Sequence, residues 1–475
     1  MGPAPNLLWT LGDAIAACDG WPEGEIDPDA PICSVSIDSR TALPNALFVA
    51  IRGDNLDGHD YIAKAFASGA TAALVAEDAG LDAAAAQGPL IRVSDTLKGM
   101  ERLAKSARAR SHAAVIAVTG SVGKTGTKEA LRLALGPSGS VHASAKSHNN
   151  HWGVPLSLAN MAPDVQFGVF EVGMNHAGEI TPLTAMVRPQ VAIVTTVEPV
   201  HLEFFASVAE IAEAKAEIFS GLDRDGTAIV NRDNAHFELL ARRAQEAGAR
   251  RVVSFGEHEE ADARLVQANS TAGGSDVWAR ICGEAVSYRI GAPGRHLVMN
   301  SLAVLAAVQA AGADLRAGAQ ALKDYQAQTG RGARATLEAA AGKVLLIDES
   351  YNANPVSMAA ALATLGSTPR RKFARRIAVL GDMLELGETS AELHRKLAEP
   401  VDAAGIDVVF ACGPHMHALF EALPEDVRGA YAETSDGLRA ALLDTVEVGD
   451  VVMVKGSLGS KMGVLVKALR EHFAR

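Results

Sequence analysis

A chain of 475 residues that is 48% hydrophobic but only 5% aromatic holds about two to four domains, with cores built from Ala, Val, Leu and Ile. Its formal net charge of −12 argues against a broad nucleic-acid surface, which needs excess positive charge, but leaves room for anions held by local amides and a few cations. The four cysteines, Cys18, Cys33, Cys282 and Cys412, are scattered without a CxxC pair, which excludes zinc and disulfide frameworks and leaves reduced thiols.

The segment Met1 to Trp9 lacks a basic patch followed by an apolar stretch, and no apolar run is long enough to span a bilayer. A cytoplasmic protein without membrane insertion is expected.

Three regions separate by texture. Up to residue 110, strand-like runs occur at Ser34–Ile37, Ala46–Ile51, Ala72–Val75 and Leu90–Val93. A helix fits Tyr61–Ser68 before Gly69, and another, Lys98–Arg110, leads out. This is a small α/β domain, 1–110. The second region, 111–328, opens on the apolar run 113–118, of a length that suits a buried parallel strand. It feeds a glycine loop and a helix over Lys128–Leu135. Further strands are expected at Phe167–Val172, Val191–Thr195, Thr227–Val230 and Arg251–Phe255, with helices at Ala209–Leu222 and Asn300–Ala311. Alternating strands and helices imply a doubly wound parallel sheet. The stretch Ala263–Arg289, with Gly273-Gly274, reads as a small antiparallel insert. The third region, 329–475, carries strands at Val344–Ile347, Ile377–Leu380, Val408–Cys412 and Val451–Val454. Helices at Ser357–Leu365, Ala391–Ala398, Gly437–Leu443 and Met462–Phe473 make it a second, Rossmann-like α/β domain. The stretch Gln326–Gly332 is the expected hinge.

The loop Thr119-Gly120-Ser121-Val122-Gly123-Lys124-Thr125 lies between a buried strand and a helix. Glycines there let backbone N–H groups converge on phosphates, helped by the helix dipole. Lys124 can reach the terminal phosphates of ATP, and the Thr125 hydroxyl can bind Mg²⁺. Val118 stands where the strict phosphate-loop pattern has its first glycine, so the context of strand, loop and helix carries the assignment. Glu171 and His201 follow apolar strands, at the sheet end that should open onto the ligand. Glu171 is a candidate metal ligand against the alternative of a solvated strand end. His201 alone would more often be structural. By spacing alone Lys215 is an exposed helical lysine.

The cluster His148-Asn149-Asn150-His151-Trp152 either binds a polar ligand or satisfies its own turns. Asp348-Glu349-Ser350-Tyr351-Asn352-Ala353-Asn354-Pro355 follows a strand. Its Asp can bond a ribose or order the loop, and its Asn residues can hold a peptide-like substrate or cap the next helix. The basic run 369–376 reads as a solvated linker.

In order and over nearly the whole chain, these motifs resemble the Mur ligase family. Asp38-Ser39-Arg40 and Phe48–Gly53 look like the family's UDP-sugar segments, and the 119–125 loop like its nucleotide loop, where an apolar residue at 118 is tolerated. Asn150 with Gly153-Val154-Pro155, Glu171–His176, His201-Leu202-Glu203 and Ala214–Glu217 follow as in the family. Pro293–His296 with Asn300 resembles its adenine-contacting segment, and Gly330-Arg331-Gly332 its arginine at the start of the third domain. Ser350–Pro355 and Leu380–Gly387 resemble the branch that adds D-alanyl-D-alanine to UDP-muramoyl-tripeptide. The chain departs from the pattern at Asp348-Glu349-Ser350, where Asp-Asp-Ser is more usual, and at Lys455–Ser460, which lacks an arginine after Ser457.

The resemblance implies a monomeric peptidoglycan ligase that couples ATP hydrolysis to amide formation through an acyl phosphate. It implies two Mg²⁺ ions held at Thr125, Glu171 and His201, and a carbamylated Lys215. It places Asn300, Arg331 and Asp348 on ATP, Lys124 on the γ-phosphate, and Ser39, Arg40, Asn150, Asn352 and Asn354 on the substrates. The alternatives are an amino-acid-adding or folylpolyglutamate-type ligase of the family, and a P-loop ATPase without ligase activity.

Overall fold

The strand Ala114–Thr119 sends Ile116 and Val118 into one core and Val115 and Ala117 into another, and all four are fully buried. Burial on both faces is what a parallel sheet between two helix layers demands. The computed structural model describes residues 7–41, 44–53, 55–81, 83–145, 147–200, 202–271, 273–339 and 342–473. Across the central sheet the strands run Glu284–Ile290, Gly274–Ile281, Ala263–Thr271, Arg251–Gly256, Thr227–Asn231, Val191–Val194, Ala114–Thr119, Phe167–Glu171, Val141–Ala143. The helices Lys124–Leu135 and Arg295–Ala310 cover one face. Ile180–Val187, Val208–Ala216 and Phe237–Glu246 cover the other.

After Ala114–Thr119 the chain crosses to one side of the sheet; after the adjacent Val191–Val194 it crosses to the other. The loops that leave those two strands therefore diverge and open a crevice at their carboxyl ends.

The first sheet has five strands in the order Trp21–Glu23, Leu90–Val93, Ala70–Ala76, Ala46–Val49, Ser34–Ser36, parallel except at Trp21–Glu23. It is tied to the central part by polar bonds: Asn160 accepts from Val35 N and donates to Val35 O, both at 2.9 Å, and the Trp9 indole donates to Ala159 O at 3.0 Å. The third sheet has six strands: Ala333–Ala339, Gly342–Glu349, Asp450–Lys455, Arg375–Gly381, Val408–Cys412, Arg428–Ala432, parallel except for the first. The three-part α/β architecture expected from the sequence is what forms.

Several local expectations change. The stretch Ala263–Arg289 is antiparallel, but not a separate insert: Phe255 and Gly256 pair in parallel with Ala263 and Arg264, so its strands extend the central sheet. The single helix expected over Ala391–Ala398 is two, Ser390–Arg395 and Ala398–Ala403. Pro400 donates no N–H and its ring crowds the carbonyl of Lys396, which breaks the run there. The basic run divides: residues 370–372 and 374 are exposed, as a solvated linker requires, while Arg375 and Arg376 open the strand Arg375–Gly381, where Arg375 pairs with Asp450 at 2.7 Å and Arg376 donates to Ala404 O and Thr368 O. The helices Leu11–Cys18, Gly153–Ala159 and Ile180–Val187 add to those expected. Among the described residues the four cysteines are free, and no helix is long and apolar enough to cross a membrane.

Candidate functional site

The glycine loop sits in the crevice, held there by the segment 195–198 that leaves the neighbouring strand Val191–Val194. Ser121 N donates to Thr196 O at 2.9 Å, Ser121 Oγ donates to Glu198 O at 3.1 Å, and Thr195 Oγ1 donates to Val122 O at 2.6 Å. Two glycines are required. At Gly120 an added Cβ would fall on the Thr195 hydroxyl. Gly123, with φ +86°, adopts a left-handed backbone, and a Cβ there would lie 2.5 Å from Asn300 Nδ2. Gly123 caps the helix Lys124–Leu135, which therefore starts four residues before the expected Lys128. Its first-turn N–H groups and dipole face the crevice, an arrangement suited to anions.

Lys124 Nζ donates to Gly120 O at 2.6 Å. Burial pushes its ammonium down from the ordinary lysine range; Glu171 opposes that shift and Arg331 adds to it. Both charges thus face the lysine. Behind it, Glu171 is 1% exposed, so the solvated reading of this strand end fails. Its Oε2 accepts from Thr125 Oγ1 at 2.9 Å and its Oε1 from Asn149 Nδ2 at 2.7 Å. Ser147 Oγ lies 3.4 Å from Thr125 Oγ1 and accepts from Arg331 Nη2 at 3.0 Å. The Arg331 guanidinium also stacks over the Tyr351 ring, 4.2 Å from its centroid. Arg331 thus reaches from the third sheet's entry into the nucleotide loop's surroundings.

Thr125, Glu171 and Ser147 offer only oxygen donors, the chemistry of a hard cation such as Mg²⁺. Among the described residues no three His, Cys, Asp or Glu side chains cluster as a metal cage. That fits an ion whose remaining positions are taken by phosphate and water. His201 lies outside the described residues.

Lys215, read from spacing as exposed, is 2% exposed on the helix Val208–Ala216. Burial drives its pKa well below the ordinary lysine value, and the charge of Lys124 drives it further. Among the described residues no carboxylate pairs with it.

The remaining residues fall into two groups. Ser39 is buried and Arg40 is exposed, the latter paired with Asp38 at 2.8 Å. Both follow the strand Ser34–Ser36, on the carboxyl edge of the first sheet that also carries Arg52 and its partner Asp78. A Cβ at Gly53 would lie 3.2 Å from the Trp152 ring, so this edge faces the His148–Trp152 loop. In that loop Asn150 Oδ1 accepts from Gly153 N at 2.9 Å and from Trp152 N at 3.3 Å, ordering the start of the helix Gly153–Ala159. Asn149, part of the polar cluster noted in the sequence, and Ser147, which the sequence reading passed over, are the loop's contributions to the Glu171 cluster. Asp348 is 1% exposed and accepts from Ser350 Oγ at 2.6 Å, so it orders the turn after its strand. Asn354 caps the helix Pro355–Gly366 in a capping box with Ser357. Asn352 is exposed, its Oδ1 accepting from Ala353 N at 2.9 Å. Lys455, 3% exposed, donates to Asn352 O at 2.9 Å and pairs with Glu349 at 3.4 Å.

Three family patterns match the chain in sequence: the Mur ligase family, catalytic domain, at residues 31–108; the Mur ligase middle domain at 118–308; and the Mur ligase, glutamate ligase domain, at 333–458. The UDP-N-acetylmuramoyl-tripeptide--D-alanyl-D-alanine ligase of Escherichia coli (strain K12) is 35% identical over 446 residues, covering 94% of this chain and 95% of its own. The ligase of the same name from Rickettsia prowazekii (strain Madrid E) is 32% identical over 93% of this chain and 96% of its own. The crystal structure of MurF from Acinetobacter baumannii superposes with a TM-score of 0.84 at 28% identity, covering 98% of this chain and all of that one.

Proposed function

The chain belongs to the Mur ligase family, and on that premise we propose that it is the ATP-dependent ligase that joins D-alanyl-D-alanine to UDP-N-acetylmuramoyl-tripeptide. The relatives carry this activity in their names and match over almost their full length. The observation that carries the reading is the Lys124–Thr125–Glu171 cluster, held at the switch point and reached by Arg331 from the third sheet.

The carboxylate oxygen of the tripeptide attacks the γ-phosphorus; the bond to ADP breaks and an acyl phosphate forms. The amine of the dipeptide then attacks the acyl carbon, gives up a proton, and the tetrahedral adduct expels phosphate. The first step brings two anions together, so its barrier is largely electrostatic. Lys124, the amides of 120–125 and Arg331 offset that repulsion. Thr125 and Glu171 would hold Mg²⁺, which would neutralise phosphate charge, and the family resemblance would add His201 for a second ion. Lys215 supplies a buried amine whose pKa burial and the charge of Lys124 drive well below the ordinary lysine value. Carbamylation by carbon dioxide, with loss of a proton, would put a negative charge there in place of an ammonium that Lys124 repels. Residues 1–110 bind the UDP-sugar through Ser39 and Arg40. Residues 111–328 bind ATP, with Asn300 beside Gly123, and Asp348 adds to that site from residues 329–475. Residues 329–475 bring the dipeptide, with Asn352 and Asn354 at their substrate-facing turn. Closure about the hinge at 326–332 excludes water from the acyl phosphate. The enzyme works as a cytoplasmic monomer.

A panel of amines offered with ATP and UDP-muramoyl-tripeptide tests the assignment. D-alanyl-D-alanine is expected to give the pentapeptide product. A product with a free amino acid or glutamate in its place would transfer the chain to another branch of the family.

A further inference from the structure

Ser147 connects two parts of the site through hydrogen-bond distances. Its Oγ accepts a hydrogen bond from Arg331 Nη2 at 3.0 Å and lies 3.4 Å from Thr125 Oγ1. Thr125 in turn donates to Glu171, whose other oxygen is held by Asn149. On its far side Arg331 is fixed over the Tyr351 ring. One unbroken chain of contacts thus runs from the third sheet's first loop to the carboxylate behind the phosphate loop. We propose that Ser147 is a positioning residue: its hydroxyl holds the Arg331 guanidinium beside the γ-phosphate position before ATP arrives, so that domain closure has no charged side chain left to place.

The physical reason is preorganisation. A guanidinium left in solvent samples many rotamers and carries its hydration shell into the closing cleft; one already bonded to a hydroxyl and stacked on a ring gives up little on closure. The serine hydroxyl suits the task because it can release the guanidinium to a phosphate oxygen while still bonding to Thr125.

This inference rests on the ligase reading of the same site. Its test is a double-mutant cycle on the full chain. Ser147→Ala is expected to lower kcat about 10-fold, the size of one charge-assisted hydrogen bond, and to move KM for ATP much less. In an Arg331→Ala background the same change is expected to cost nothing further, and Ser147→Thr, which keeps the hydroxyl, to restore the rate. Additive losses, or full activity in Ser147→Ala, would overturn it. Affinity for a non-hydrolysable ATP analogue that keeps the γ-phosphate, measured calorimetrically through the same cycle, reads the coupling independently of turnover. If the wild-type chain binds nucleotide but fails to consume the dipeptide, the ligase reading falls, while coupling or additivity in that affinity still decides the role of Ser147.

Discussion

Replacing Glu171 by Gln separates what this buried carboxylate does for the fold from what it does for chemistry. Glu171 is 1% exposed and accepts two hydrogen bonds, from Thr125 at 2.9 Å and Asn149 at 2.7 Å. Gln keeps one acceptor oxygen and turns the other into a donor. Both partners can adapt: the Thr125 hydroxyl can accept instead of donate, and the Asn149 amide can turn its oxygen inward. The expected loss of folding stability is therefore that of one charged acceptor bond, about 1–2 kcal/mol, read from urea unfolding. The loss of activity should be larger, because the negative charge that faces Lys124, and that would hold the metal, is gone while the shape remains. Removal of one electrostatic partner from a reaction centre costs about 100- to 1000-fold, read as phosphate release at saturating substrates. Near-normal turnover in Glu171→Gln would refute the assignment. A stability loss well beyond about 3 kcal/mol would instead make Glu171 a structural residue.

Lys124→Ala should leave the unfolding transition nearly unchanged and abolish phosphate release; retained release would remove Lys124 from the phosphate site. Asn354→Ala should lower stability by about 0.5–2 kcal/mol through loss of the helix cap. Asn354→Asp, which can cap, should recover that stability, and recovery of KM for the dipeptide along with it would show that Asn354 acts as a cap alone. His142 lies beside Phe170 with its ring tilted by 39° to it, and burial pushes its pKa from 6.5 down to about 4. Between those values the unfolded chain holds a proton that the folded chain lacks, so stability falls as pH drops from 6.5 toward 4. His142→Phe should flatten that part of the profile; an unchanged slope assigns it to other groups. Wild-type protein in bicarbonate should show by intact mass one added carbon dioxide that is absent from Lys215→Ala, and identical masses would exclude the carbamate.

What could be read in the sequence follows the range of the forces involved. The strand, glycine loop and helix over 114–135 were legible despite Val118, because an uninterrupted apolar strand leading into two glycines and a lysine leaves few other local folds. The parallel core strands were legible because burial on both faces makes them apolar throughout. The helix Gly153–Ala159 was not, since it spans seven residues and begins Gly-Val-Pro, a sequence that mimics a turn. Lys215 shows the limit most clearly. Helical spacing suggests an exposed side chain, and only the tertiary packing around the helix Val208–Ala216 buries it. Ser147 and Asn149 lie in a loop whose donors and acceptors fit turns and ligand sites alike. Their alignment on Thr125 and Glu171 exists only after the strands Ala114–Thr119 and Phe167–Glu171 pair in register, with Glu171 opposite Val118.

The central claim, that this site spends ATP to form an amide with a dipeptide, is tested most directly by phosphate release from ATP and UDP-muramoyl-tripeptide with and without D-alanyl-D-alanine. Steady release only when the dipeptide is present, matched mole for mole by pentapeptide product, is the expected result. Equal release without the dipeptide would contradict the claim and leave a nucleotide-hydrolysing P-loop protein in its place.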